Sequence, residues 1–142
     1  MEHSSKAAVQ KTAAAVGAVF LLVGIAGFIP GITTHYDQLK LAGHESGALL
    51  LGLFQVSVLH NLVHLAFGVA GLMMARSWGS AKSFLVGGGA LYGVVWAYGL
   101  LVDGKANPSN FLPFNSPDNV LHFLLAVGMV GLGLGLGAKD RV

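Results

Sequence analysis

Gln55-Val56-Ser57-Val58-Leu59-His60-Asn61-Leu62-Val63-His64-Leu65-Ala66-Phe67-Gly68-Val69 lies inside an apolar run, Leu51–Ala75, that holds no Asp, Glu, Lys or Arg. A helix needs about 20 apolar residues to cross a bilayer core, so the run predicts a membrane span. Two histidines and an asparagine inside it are expensive in hydrocarbon and must point into a bundle or a cavity. Three more runs meet the same length, Thr12–Ile29, Ser83–Val102 and Asp118–Ala138, and the fold they predict is an all-α, integral membrane four-helix bundle forming one domain.

Composition agrees with that reading. Of 142 residues, 54% are hydrophobic and 10% charged, and mean hydropathy is +0.70. A soluble domain carries about 25% charged residues, so this chain has too few to cover a wet surface, and its long apolar runs exclude disorder. No cysteine is present, which removes disulfides, thiolate nucleophiles and thiolate metal sites. The net charge is only +2, and the basic residues sit at the ends of the apolar runs, so the expected partner is the lipid bilayer and not nucleic acid. The 21 glycines would weaken helices in water, but in lipid they let backbones approach closely. Gly89/Gly93, Gly131/Gly135 and Gly133/Gly137 have the spacing of close-packing faces, which also suits a homo-oligomer or a larger membrane complex.

Lys6, Lys11, Arg76, Lys82, Lys139 and Arg141 fall on one side of the spans, Lys40 and Lys105 on the other. The positive-inside rule then puts both termini in the cytoplasm and Pro30–Ser46 and Asp103–Pro117 outside. The first span is read as a retained helix, because Phe28-Ile29-Pro30-Gly31-Ile32 has no small-x-small cleavage pattern. Pro117 is placed to start the fourth helix, with Ser116 as its cap.

Asn61-Leu62-Val63-His64 and Asn119-Val120-Leu121-His122 match in their Asn and His, and the preceding spans match loosely, Val23–Gly27 against Val95–Gly99. Both pairs of spans run in the same sense, which implies two parallel helix-hairpin repeats about an axis along the membrane normal. At about 100° per residue, Ser57, His60, Asn61, His64, Gly68 and Gly71 share one helix face. Asp118, Asn119, His122, Ala126 and Gly133 share another, and Gly88, Tyr92, Trp96 and Gly99 a third. Counting in from the basic ends puts His60, His64 and His122 at comparable depth, and predicts a polar pocket that opens outward between the second, third and fourth helices.

The stretches Ala26–Thr34, Leu51–His64 and Pro117–His122 resemble the bacterial tetraspan family filed as domain of unknown function 4383. The resemblance covers nearly the whole chain, and His60-Asn61-Leu62-Val63-His64 is its most specific mark. It implies a four-helix plasma-membrane protein and says nothing of activity.

Several chemistries fit the histidines. His60 and His64, four residues apart, with His122, are a candidate three-histidine site for a transition metal, with Asp118 as a ligand or an orienting group. His64 and His122, on two helices at one depth, are the candidate axial pair for one b-type haem. A small-ligand or proton-exchange site is a third reading, although no charged residue in the inner half of a span completes a proton path. Against all three stands a structural reading, in which the histidines only hydrogen-bond between helices of an accessory or partner-binding subunit. No catalytic motif is recognisable. Ser57, His60 and Asp118 supply the inventory of a hydrolase without any sign of an activated geometry. His35 and His44 are expected in solvent, Trp78 and Tyr36 as interfacial anchors.

Overall fold

The computed structural model of the protein describes residues 2–43, 46–102 and 115–138. Its four helices are α1 (Glu2–Ala26), α2 (Val58–Met74), α3 (Trp78–Val102) and α4 (Ser116–Ala138). Three contain stretches long and apolar enough to cross a membrane: Ala8–Ala26, Trp78–Val102 and Ser116–Gly137. α2 is equally apolar but has 17 residues. At 1.5 Å per residue it rises about 25 Å, short of a hydrocarbon core of about 30 Å.

The difference from the expected second span, Leu51–Ala75, has a local cause. Leu49–Leu50 (β2) pairs antiparallel with Thr33–Thr34 (β1) on one side and with Phe54–Gln55 (β3) on the other. Between β2 and β3 the chain turns through Leu51 and Gly52, at φ +56° and +71°. A helix of L-residues cannot run through a left-handed pair. Ser57 is extended instead, and its side chain accepts a 3.1 Å hydrogen bond from the His60 N–H, which fixes the start of α2. The first and third helices begin earlier than the expected Thr12 and Ser83, because helix continues past the end of the apolar stretch. At α4, Asn115 is the cap where Ser116 was expected. Its Oδ1 accepts from the Asp118 N–H, and Asp118 Oδ2 accepts from the Asn115 N–H, both at 3.0 Å. Ser116 and Pro117 are the first helical residues, where proline costs no hydrogen bond.

The three short strands form a cap on the ends of the helices, with Ala48, Leu50 and Val56 packed against Val23 and Ala26 of α1. Thr33 Oγ1 donates to Ala26 O at 2.9 Å, and Asn115 Nδ2 donates to Leu53 O at 3.0 Å, so the cap is tied to both α1 and the start of α4. The segment Asp103–Phe114, part of the second expected outer loop, and His44 lie outside the described residues.

α1 packs along α2, and α3 along α4, by the same device. A Cβ on Gly17 would stand 2.9 Å from both Gly68 O and Leu72 N, and one on Gly89 would stand 3.0 Å from Ala126 O and 2.8 Å from Val130 N. Gly27 leaves room for the Asn61 amide, and Gly99 for that of Asn119. These contacts in the first pair of helices thus have their counterparts in the second, as a repeat of two helix hairpins requires. The caps repeat as well, Ser57 answering to Asn115. The buried core follows suit: Val9 and Ala81, Ala13 and Leu85, and Phe20 and Tyr92 are equivalent pairs. Phe20 and Tyr92 stack on one another, ring centroids 5.4 Å apart and 22° from parallel, where the halves meet.

Candidate functional site

The repeat sorts the polar residues of the core into two sets. His64 and His122 are equivalent, as are Asn61 and Asn119, and His60 takes the position that Asp118 takes in the other half. All six are buried. His64 packs against Phe20 at 6.0 Å between ring centroids, and its counterpart His122 against Tyr92 at 5.4 Å. His60 breaks the symmetry. Its ring lies 4.5 Å from that of His64, one helical turn on, and 6.1 Å from that of His122 on α4. The three imidazoles therefore form one cluster, backed by the Phe20–Tyr92 stack.

Asp118 and Asn61 have other tasks. The Asp118 carboxylate closes the reciprocal cap with Asn115 at the start of α4. Asn61 turns into the α1–α2 seam, its amide in the place that a Cβ of Gly27 would occupy. Neither amide atom of Asn61 or Asn119 has a hydrogen-bond partner among the described residues. Ser57 spends its side-chain oxygen on the α2 cap. Trp96 packs on Phe123 at 5.1 Å, away from the imidazoles, and His35 is exposed in the cap.

Of the four residues expected at a metal, Asp118 is engaged at the helix cap. Among the described residues no group of three or more His, Cys, Asp or Glu side chains is placed to hold a metal ion. The reason is visible in the packing: the carboxylate is held at the helix cap and the imidazoles pack on aromatic rings. His64 and His122, the pair named for a haem, sit on α2 and α4. His60 contacts both, and Phe20 and Tyr92 back them.

The imidazoles line two crevices on the flanks of the bundle. One lies between α2 and α3, holds about 50 Å³, and is lined by His60, Val63, Phe67, Leu91, Tyr92, Val95 and His122. The other lies between α1 and α4, holds about 250 Å³, and is lined by Val19, Phe20, Val23, His64, Leu121 and Leu125, with Ala15 and Val16 at one end. Six positions of the first have their equivalents in the second: Leu91 and Val19, Tyr92 and Phe20, Val95 and Val23, His122 and His64, Val63 and Leu121, Phe67 and Leu125. The crevices are thus two versions of one feature. The narrow one is filled by the larger Phe67 and Tyr92 and by His60. The wide one has Leu125 and Phe20 at the matching positions, and it ends on His64, whose Nδ1 is buried with no hydrogen-bond partner among the described residues. The half repeat was readable from Asn61, His64, Asn119 and His122. The crevices were not, because their walls are ordinary valines and leucines that only the packing brings together.

A family model described as a domain of unknown function (DUF4383) matches residues 10–135, a stretch that includes α2, α3, the cap and most of α1 and α4. No curated protein and no solved structure matches the chain.

Proposed function

Because the chain belongs to the DUF4383 family, whose function is unknown, its activity has to be read from its own side chains, and we propose that it is a ligand-binding membrane protein whose ligand meets His64, one of the cluster with His60 and His122. The ligand is a small uncharged molecule with a hydrogen-bonding atom. The observation that carries this reading is the imidazole of His64 on the wall of a 250 Å³ crevice whose other lining side chains are apolar. Among the described residues no charged side chain lines either crevice, so an ionic ligand would find no counter-charge.

The same proposal places the protein in the bacterial plasma membrane with both termini in the cytoplasm. Lys11, Arg76 and Lys82 gather at one end of the helices, as the positive-inside rule requires. The three-stranded cap then lies on the outer face.

A second reading is favoured by one observation, the packing of His64 and His122 on Phe20 and Tyr92. In that reading the imidazoles serve only to join the halves. Purification in mild detergent, followed by solvent extraction with mass spectrometry, elemental analysis and an absorption spectrum, separates the alternatives. A small organic molecule recovered near one per chain, and lost from the His60→Ala/His64→Ala/His122→Ala variant, is the expected result. Stoichiometric metal or a Soret band would replace the uncharged ligand with a metal or haem. Nothing recovered, with a variant that is only less stable, would leave the packing reading.

A further inference from the structure

The two crevices are the same feature built twice, and they differ where a ligand would notice. We infer that the crevice between α1 and α4 is a side entrance from the bilayer that takes an elongated apolar molecule by its head, a ring or chain end bearing a carbonyl or hydroxyl oxygen that hydrogen-bonds to His64. This rests on the ligand-binding reading and names the class of ligand.

Four observations carry the inference. The first is size. A cavity of about 150 Å³ lined by aliphatic side chains accepts benzene, so about 250 Å³ accepts a substituted ring or several methylenes. The second is direction. Val19 on the crevice wall is 55% exposed, and its neighbour Leu22 66%, on an apolar flank of a membrane-spanning stretch, so the mouth faces acyl chains. The third is the polar terminus. His64 is 6% exposed and is the one titratable side chain that lines this crevice, whose other walls are apolar. A neutral imidazole offers one donor and one acceptor, which suits a carbonyl or hydroxyl oxygen. The fourth is depth. His64 lies six residues into α2, about 9 Å along the helix from its capped end. A phosphate or ammonium group brought to that depth would lack a counter-charge, whereas a carbonyl needs a single hydrogen bond. The narrow crevice supplies the contrast, since Phe67 replaces Leu125 and fills the space in front of His122.

The test uses the full chain in lipid nanodiscs, with decylubiquinone as the head-bearing probe and decane as the tail without a head. Decylubiquinone is expected to bind saturably and raise the melting temperature. Leu125→Phe, which copies the residue of the narrow crevice, should weaken binding at least tenfold. His64→Phe, which keeps a ring but removes both nitrogens, should do the same. Leu91→Phe, on the wall of the other crevice, should leave binding unchanged. Unaltered binding in Leu125→Phe would overturn the inference, and so would equal binding of decane, which would make the crevice a seat for any acyl chain. Should Leu125→Phe fail to fold, Val19→Phe narrows the same mouth from the exposed side and takes its place. If extraction of the native protein yields a His64-dependent molecule while decylubiquinone never binds, the ligand-binding reading stands and this inference falls.

Discussion

Single glycines decide how closely the helices approach. Gly27 and Gly99 occupy equivalent places, and each admits a buried asparagine amide where a side chain would otherwise stand. Because the obstruction is the amide itself, packed in a helix seam, alanine at either site forces the seam apart, and overpacking of this kind costs about 1–3 kcal/mol. Gly27→Ala and Gly99→Ala should therefore each lower stability in reversible detergent unfolding, and by similar amounts. Gly131 meets nothing within 4 Å, so Gly131→Ala should be neutral or slightly stabilising in the same assay. The sequence suggested Gly131/Gly135 as a close-packing pair, but both face away from the bundle; Gly133, against Leu85 and Val86, and Gly137, against Lys82, make the contacts with α3. Spacing alone reveals a stripe of glycine without telling which side of the helix has a neighbour.

Among the elements, the cap and α2 carry the clearest lesson. The run from Leu49 to Phe54 is as apolar as a span, so hydropathy extends the second helix seven residues too far, from Val58 back to Leu51. Strands of two residues are too short to show a period of two, and Leu51 at φ +56° is a leucine in a position that usually goes to glycine or asparagine. What sets the boundary is a cap. Ser57 and Asn115 perform one role in the two halves, accepting from the N–H three residues on. Ser57→Ala and Asn115→Ala should each cost about 1 kcal/mol, and Asn115→Ala should cost the more, because it also removes the 3.0 Å bond to Leu53 O that ties the sheet to α4. Chemical denaturation of the two variants side by side measures the difference.

At the scale of the whole molecule, the chain is two helix hairpins joined face to face on a Phe20–Tyr92 stack, with histidines at equivalent positions behind the two rings. The sequence disclosed four apolar runs, the Asn and His of the repeat, and the histidines on inward faces. The lateral crevices depend on contacts between residues far apart in the chain, which no local pattern records, whereas the Asp118 cap is local, closed with Asn115 three residues before it. The proposed orientation has its own check, simplified by the absence of cysteine. Gly79→Cys, in open space at the start of α3, should react with a membrane-impermeant maleimide only after lysis, and Gln38→Cys in the cap should react in intact cells. The reverse pattern would invert the topology. The central claim, that the imidazole cluster is a ligand site, is tested most directly by ¹⁵N spectra of histidine-labelled protein in nanodiscs, taken before and after co-purified small molecules are extracted. Shifts confined to His60, His64 and His122, with exposed His35 unmoved, are the predicted result. Unchanged resonances for all three, from protein that had held a molecule before extraction, would contradict it.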